Sequence, residues 1–507
     1  MRIPFFLLAT VAVVAVTASA AQKQIISDNK LVVGYWVPWG GVPVSAVDMT
    51  KYTHINYGFG LLLRSSGNPA QIVFRDDPSP IRELVRRGNQ YGVPILLSLG
   101  GSTGSETFSI VVADSGLRRS FINNAMVFVR KNGWDMDGID IDWEHPGRPG
   151  APSNIYSPQD SANYLLLLRE LRAQLDAEFP NKRKLLTAAV RVEPFDGANG
   201  RPLTDVSAFV PYFDWISLMA YDIHGLWSST TGPNAPFGTP SPPGDPFSVI
   251  QAVRSWRAAG WPSHKLVVGT AFYGRVVTAT VNMDTQNPIT QYVPRAAAVA
   301  KLGRATSTCR RMEEGIWKWK ELRTSILAVG PTTPVAGWTR HWDPESQTPW
   351  LFRAWDRKFI SYDDIQSLMV KVNYVKQQSL RGVMLWDISL DYNHELVDVL
   401  NQVHCTSDCP PTRPNPGPNP GPNPGPNPGP NPGPSVCDGV PSWDSGTVYA
   451  TPGIKVTYNG HLWTNRWWTQ GEVPSGAQGS VWEDHGACQR MTPQMQYPFT
   501  RPKSKVY

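Results

Sequence analysis

The chain has 507 residues, of which 41% are hydrophobic and 17% charged, and it contains 47 Pro, 43 Gly and 20 Trp. This length predicts roughly two to four domains, and the composition excludes a highly charged disordered protein and a coiled coil. The net charge of +6 is not concentrated in a long basic run, so we predict no nucleic-acid partner.

The first twenty residues have the features of a secretory signal peptide. Arg2 precedes an apolar run from Ile3 to Val16, and small residues at 18–20 form a cleavage site. A membrane anchor is the alternative, but the apolar run is shorter than the ~20 residues that a spanning helix needs. We therefore predict a secreted protein that starts at Ala21 and has no membrane partner.

Export implies an oxidising compartment, in which cysteines are expected to form bridges rather than to act as catalytic thiols. The chain has five cysteines, so one thiol should be left over. We expect Cys405 to pair with Cys409, although Cys309 could take either one. The remaining two are Cys437 and Cys488.

Eight short apolar runs alternate with helical patterns in the segment 21–405. This alternation predicts an α/β fold of the (β/α)8, or TIM, barrel type, for which ~250 residues suffice. An open doubly wound sheet is the alternative. The strand candidates are Leu31 to Trp36, Thr53 to Phe59, Pro94 to Leu99, Gly138 to Trp143, Leu185 to Val192, Trp215 to Tyr221, Leu266 to Tyr273 and Gly382 to Ile388. The helix candidates are Ser115 to Asn132, Pro158 to Phe179, Phe247 to Ala259 and Asp364 to Gln378.

The excess length lies between the seventh and eighth strands. The segment from about 275 to 360 is rich in Trp and contains strand-like stretches such as Gly337 to Trp342. These features predict an α+β lobe inserted into the barrel.

A run of low complexity follows the barrel segment. Residues 410–434 are almost entirely Pro, Gly and Asn, with Asn-Pro-Gly-Pro repeated from Asn415. Proline at every second position excludes helix and sheet and favours an extended linker. The linker separates the barrel from a small segment, 435–488, and we expect the tail, 489–507, to be mobile.

The run from 137 to 144 carries the clearest chemical signal. Side chains alternate along a strand, so Asp140, Asp142 and Glu144 share one face at steps of about 6.6 Å. Like charges at that spacing raise each other's pKa, so at least one of these acids should stay protonated near neutral pH. Because barrel active sites lie at the carboxyl ends of strands, Glu144 is the predicted general acid.

Two other interpretations of this run are a solvated strand edge and a divalent-metal site. The bulky apolar residues between the acids argue against a solvated edge. No His or further acid at ligand spacing supports a metal site. We therefore predict no metal and no cofactor.

The acidic run resembles the signature Asp-x-x-Asp-x-Asp-x-Glu of glycoside hydrolase family 18, the chitinases and their relatives, whose fold is a (β/α)8 barrel. Further segments between about Leu31 and Val403 resemble those of the family and occur in the same order. They are Tyr35 and Phe59 at the ends of the first two strands, Ser98 to Gly101 on the third, Met219 to Asp222 on the sixth, Tyr273 to Arg275 on the seventh, Trp386 on the eighth, and Ser361 to Asp364 before the last helix.

The resemblance implies a retaining, substrate-assisted hydrolysis, in which the 2-acetamido oxygen of the sugar attacks its own anomeric carbon. Glu144 would then be the general acid and base. Asp142 would bind the acetamido N–H and stabilise the oxazolinium ion, and Asp140 would share a proton with Asp142. Tyr221 would hold the acetamido carbonyl, and Trp386 would form an apolar floor under the sugar. The other implied substrate contacts are Tyr35, Phe59, Asp137, Met219, Asp222, Tyr273 and Arg275.

Two positions differ from the commonest sequence pattern of the family. His145 stands where Tyr or Phe often follows the acid, and Arg191 lies in a fifth-strand run where small or apolar residues are usual. Neither difference removes a catalytic group, but both can alter subsite preference or the pH profile.

The segment from Cys437 to Cys488 holds seven aromatic residues in 52, too many for so small a core. Exposed rings of this kind suit stacking on polysaccharide. Its sequence around Val456 to Trp463 resembles the carbohydrate-binding modules of families 5 and 12, which implies a small all-β module. The same resemblance implies surface stacking by Tyr449, Trp467 and Trp468 and a bridge between Cys437 and Cys488. A purely structural domain is the alternative.

Together these features predict a secreted, monomeric chitinase whose partners are chitin and chitooligosaccharides. The alternatives are a chitin-binding lectin on the same barrel, which typically lacks the acid, and an N-acetylglucosaminidase acting on N-glycans or peptidoglycan. Glu144 argues against the lectin, and the chitin-type module argues against the glucosaminidase.

Overall fold

A computed structural model describes residues 30–240, 244–296 and 315–405 and, with short gaps, 437–488. The predicted signal peptide, Cys309, Cys409, the linker, the tail, Trp467 and Trp468 lie outside these residues. The chain divides into two compact units between Thr406 and Ser407. Among the described helices, none has the length and apolar character needed to cross a bilayer.

The larger unit is built on a closed barrel of eight parallel strands, which confirms the predicted fold. The strands follow one another around the barrel in chain order, and the last pairs with the first. They are β1 (Leu31–Trp36), β2 (His54–Gly60), β3 (Ile95–Gly100), β4 (Gly138–Asp142), β5 (Leu185–Val190), β6 (Trp215–Leu218), β7 (Leu266–Ala271) and β13 (Gly382–Trp386).

Helices cover the outside of this barrel. Several begin at a side chain that accepts hydrogen bonds from free N–H groups of the first turn, as Asp114, Ser248 and Asp364 do. The described helices are α1 (Pro80–Tyr91), α2 (Phe108–Ala113), α3 (Ser115–Val129), α4 (Asp160–Glu178), α5 (Val249–Ala258), α6 (Trp319–Thr324), α7 (Ile365–Gln377) and α8 (Glu395–Leu400).

The predicted lobe is confirmed between β7 and β13. It contains α6 and a five-stranded antiparallel sheet in the order β10-β11-β12-β8-β9. The strands are β8 (Tyr273–Thr278), β9 (Ile316–Lys318), β10 (Thr339–Asp343), β11 (Thr348–Arg353) and β12 (Lys358–Ser361). Val277, Trp350, Phe352 and Phe359 form part of a separate core on one face of this sheet.

Strand β4 shows the predicted alternation of side chains. Ile139, Ile141 and Trp143 are buried in the main core between strands and helices, where Trp143 stacks on Phe108 at 5.2 Å. The side chains between them are directed into the barrel. The strand thereby carries its acids inward, towards the site described below.

The smaller unit consists of two small antiparallel sheets, β14 with β17 and β15-β16-β18. A disulfide joins Cys437 and Cys488, as the sequence predicts. The strands are β14 (Val448–Tyr449), β15 (Lys455–Tyr458), β16 (His461–Asn465), β17 (Thr469–Gln470) and β18 (Trp482–Ala487).

The prediction of a surface role for Tyr449 is wrong. Its side chain is only 5% exposed, because it packs in the core of the module with its ring 4.9 Å from that of Trp482. The Tyr449 hydroxyl accepts a hydrogen bond from the backbone N–H of Asp444 at 2.8 Å. Tyr449 therefore holds the module together instead of presenting a ring to a ligand.

Candidate active site

A cavity of about 1100 Å³ opens at the carboxyl ends of the barrel strands. It is bounded by strand ends, by the loops that follow them and by the first strands of the lobe. The predicted site residues that line it are Phe59, Asp142, Glu144, Met219, Tyr221, Asp222, Tyr273, Arg275 and Trp386.

Asp140 lies below this cavity, in the interior of the barrel. It is 1% exposed and accepts hydrogen bonds from three hydroxyls: Tyr35 at 2.7 Å, Ser98 at 2.8 Å and Thr187 at 2.6 Å. Burial raises the pKa of Asp140, and the three donors oppose that rise by stabilising the carboxylate. The cage fixes the orientation of this carboxyl group under the next acid of the strand.

Asp142 is the next acid on the same face of β4. It is 4% exposed, and its Oδ1 has no hydrogen-bond partner among the described residues. Burial raises the pKa of Asp142 well above its usual value, and the charges of Glu144 and Asp140 raise it further. A buried carboxyl oxygen without a donor is costly, so Asp142 is arranged to accept a hydrogen bond from a ligand in the cavity.

Glu144 follows the carboxyl end of β4, and 22% of its side chain is exposed. Burial, followed by the charge of Asp222, raises the pKa of Glu144 to about 7. No described residue donates a hydrogen bond to its carboxyl group. The carboxyl group therefore keeps its proton in about half of the molecules at pH 7 and in most of them below that pH. It is also open to the cavity, as a general acid must be.

Hydrogen bonds to two side chains fix the backbone of Glu144. Its N–H donates to the hydroxyl of Ser105 at 3.2 Å, and its carbonyl accepts from the amide of Asn154 at 2.8 Å. A Cβ on Gly150 would lie 2.0 Å from the same carbonyl oxygen, so the loop that folds back here requires a glycine. These contacts hold the carboxyl-bearing residue in one place at the cavity wall.

Tyr221 lines the same cavity as the acids. Burial and the charges of Asp142, Asp222, Glu144 and Asp140 raise the pKa of its hydroxyl well above the usual value. The hydroxyl thus keeps its proton and can donate a hydrogen bond to a ligand. Its neighbour Met219 lines the same cavity.

Asp222 is the centre of a charged cluster at the rim. Its Oδ1 accepts hydrogen bonds from the hydroxyl of Tyr273 at 2.7 Å and from the guanidinium of Arg275 at 2.8 and 2.6 Å. The guanidinium of Arg275 also lies 4.9 Å from the ring centre of Trp227. This cluster joins the sixth strand of the barrel to the lobe.

An aromatic floor lies at the end of the last strand. The rings of Trp386 and Phe59 stack at 5.5 Å with an angle of 17° between their planes, and both line the cavity. Tyr35 packs against Trp386 at 5.4 Å. An apolar plane of this kind matches the C–H face of a pyranose ring.

Two predicted substrate contacts are wrong. Tyr35 is 1% exposed, because its side chain points into the barrel beneath the cavity, where its hydroxyl binds Asp140 and its ring packs against Trp386. Asp137 precedes β4 and so lies at the opposite end of the barrel from Glu144. There its carboxylate accepts from the N–H of Ile95 at 3.1 Å and from Lys182 at 2.9 Å.

Some lining residues were missed by the sequence analysis. Trp39 and Trp227 are 55% and 58% exposed and line the cavity. Both lie in loops that follow barrel strands, and a large aromatic residue in such a loop was the available signal. Ser105 and Asn154 were missed as well, because their contacts to Glu144 depend on loop folding. Among the described residues, no group of three or more His, Cys, Asp or Glu side chains is placed to hold a metal ion.

Comparisons with known proteins agree with this geometry. Residues 31–391 match the family "Glycosyl hydrolases family 18", and residues 442–483 match "Carbohydrate-binding module family 5/12". A "chitinase-like effector" of Moniliophthora roreri is 30% identical over 390 residues, which cover 72% of this chain and 91% of that protein.

Solved structures show the same fold. A chitinase from Rhizomucor miehei aligns with a TM-score of 0.65 and 31% identity, covering 74% of this chain and all of that one. A class V chitinase from Nicotiana tobaccum in complex with NAG4 aligns with a TM-score of 0.61 and 26% identity, over 75% and 99% of the two chains.

Proposed function

The chain belongs to glycosyl hydrolase family 18 and carries a carbohydrate-binding module of family 5/12, and on that premise we propose that it is a secreted chitinase. It hydrolyses β-1,4-linked N-acetylglucosamine polymers with retention of configuration. The observation that carries this proposal is the pair formed by Glu144 and Asp142. The first is a carboxyl group with a pKa raised to about 7, and the second is a buried carboxyl oxygen without a donor.

In the first step, protonated Glu144 gives its proton to the glycosidic oxygen while the bond from that oxygen to the anomeric carbon breaks. The 2-acetamido oxygen of the same sugar forms the new bond to the anomeric carbon, so no enzyme nucleophile is needed. The sugar then carries an oxazolinium ion, and the leaving chain departs with the proton of Glu144.

The acetamido group needs support on both of its polar atoms during this step. Asp142 accepts a hydrogen bond from the acetamido N–H, which satisfies the free Oδ1 and stabilises the positive charge of the ring. Tyr221 donates to the acetamido oxygen and directs it towards the anomeric carbon. Trp386 supports the apolar face of the same sugar.

In the second step, the Glu144 carboxylate takes a proton from water as the water attacks the anomeric carbon. The bond to the acetamido oxygen breaks, and Glu144 is again protonated. Two inversions at one carbon give net retention. Asp140 sets the charge of Asp142 from below. No direct hydrogen bond joins the two carboxyls in the described residues, so sharing of a proton between them remains a prediction.

The polymer substrate is supported by the C-terminal module and by the relative that was solved with NAG4. A tethered module raises the local concentration of an insoluble chain near the cavity without new catalytic contacts. We assign the stacking role within the module to Trp467 and Trp468. Tyr273, Arg275, Asp222, Met219 and Phe59 complete the sugar-binding wall of the barrel.

The stereochemistry of the first product tests the mechanism. Proton NMR of a chitotetraose digest, recorded before mutarotation, should show new reducing ends as the β anomer. A thiazoline analogue of the oxazoline should also compete with substrate. Initial α anomer, or hydrolysis that is unaffected by the thiazoline, would contradict participation of the acetamido group.

A further inference from the structure

The residue after the acid is a histidine that lines the same cavity. The Nε2 of His145 lies 3.8 Å from Oε2 of Glu144, and 21% of its side chain is exposed. No described residue donates a hydrogen bond to that carboxyl group, and the imidazole lies beside it. A small rotation of either side chain would bring the two atoms within hydrogen-bond distance.

We propose that His145 is a positioning residue that donates its Nε2–H to the carboxylate formed when Glu144 gives up its proton. The inference rests on the proposed function and deepens it at the same site. It concerns the half of the cycle in which Glu144 is negative and must orient a water molecule. The proton of the acid goes to the glycosidic oxygen, and His145 keeps its own proton throughout.

The surroundings of His145 keep the imidazole neutral. Burial, together with the positive charges of Arg191 and Arg148, lowers the pKa of His145 to about 3. A neutral imidazole has one N–H donor and no net charge. A cation at this position would instead hold Glu144 in its ionised form and leave it without a proton to give.

The two arginines are themselves matched by acids. Arg191 binds Asp196 at 3.2 Å and also Glu193, and Arg148 lies 3.6 Å from Asp196. The two acids therefore largely neutralise the positive charges on this wall, which limits the effect of the arginines on Glu144. The other charged groups that face the acid are Asp142 on its own strand and Asp222 across the cavity, both acidic.

The test compares His145→Phe, which removes the donor, with His145→Gln, which keeps an N–H donor. The direct readout is a ¹³C NMR titration of the Glu144 carboxyl, assigned by its disappearance in Glu144→Gln. We expect the pKa of Glu144 to be about 0.5–1 higher in the phenylalanine variant, since one hydrogen bond to the carboxylate is lost, and to return towards the wild-type value in the glutamine variant. His264→Phe, an exposed imidazole outside the cavity, is the matched control.

Kinetics on chitotetraose provide the second readout. His145→Phe should lower kcat about tenfold with little change in KM, and His145→Gln should recover most of that loss. An unchanged pKa of Glu144 in both variants would overturn the inference, as would a glutamine variant that behaves like phenylalanine in both measurements. The NMR titration does not require turnover, so failure of the wild type to cleave the substrate would count against the proposed function alone.

Discussion

The hydroxyl of Tyr35 donates a hydrogen bond to Oδ2 of Asp140 over 2.7 Å, in the interior of the barrel and beneath the cavity. This bond connects the first strand to the fourth and fixes the acid on which the charge of Asp142 depends. The same tyrosine packs against Trp386, the aromatic floor of the cavity. One buried side chain thus orients both the charged and the apolar parts of the site.

Loss of this hydrogen bond should affect the catalytic step. Tyr35→Phe should lower kcat on chitooligosaccharides and reduce the free energy of unfolding by about 1–2 kcal/mol, because Asp140 keeps only two of its three donors. Tyr57→Phe is the control for the unfolding measurement, since the buried hydroxyl of Tyr57 has no hydrogen-bond partner among the described residues. Urea unfolding and initial rates measure both effects. Equal losses in the two variants would show that the bond to Asp140 has no special effect.

The pH profile should follow the proton of Glu144. Because burial and Asp222 raise its pKa to about 7, the acid is protonated below that pH and ionised above it. We expect activity on chitotetraose to fall about tenfold per pH unit above this value. Asp222→Asn removes the nearby negative charge and should move the alkaline limb to lower pH. A limb that moves to higher pH would contradict the assigned cause.

Asp137 should contribute to stability and not to binding. Asp137→Asn weakens the bonds to Ile95 and Lys182 at the far end of the barrel, so we expect a loss of about 1–2 kcal/mol in unfolding free energy and an unchanged KM. Lys182→Ala should cost less, since that side chain is 68% exposed. A raised KM with unchanged stability would restore the original assignment of Asp137 as a substrate contact.

The aromatic floor should determine substrate affinity. Trp386→Ala removes the apolar plane under the sugar and should lower kcat/KM by about tenfold. Stacking on an aromatic ring contributes about 0.5–1.5 kcal/mol beyond the apolar area that it buries. Trp355→Ala is the control, because that ring is 78% exposed and does not line the cavity. Equal effects of the two substitutions on soluble oligomers would contradict the role of Trp386.

The barrel was predictable because its strands are buried apolar runs with turn signals between them. Predicted and observed strands differ mainly at their carboxyl ends, as for Trp215 to Tyr221 against Trp215–Leu218. At these ends the chain leaves the sheet to form the cavity mouth, and the apolar pattern continues without a strand. Side-chain alternation alone predicted which face of β4 points into the barrel, and it placed Asp140, Asp142 and Glu144 correctly on that face.

The errors arose where position along a strand decides the role of a residue. Tyr35 and Asp137 belong to the right motifs, but neither reaches the cavity. Tyr35 lies near the carboxyl end of β1 with its side chain directed into the barrel interior, and Asp137 precedes the amino end of β4. Tyr449 was misassigned because aromatic content alone does not distinguish core rings from surface rings. The hydrogen bonds of Ser105 and Asn154 to the backbone of Glu144 depend on how the loops fold, which no local sequence pattern predicts.

The central claim is that Glu144 supplies and recovers the proton in chitin hydrolysis. Glu144→Gln removes the acid while keeping the shape of the side chain and the module unchanged. The most direct measurement compares this variant with wild type in hydrolysis of chitotetraose and in binding to insoluble chitin. We predict that hydrolysis falls at least about a thousandfold, while binding is retained. Hydrolysis at the wild-type rate would contradict the account.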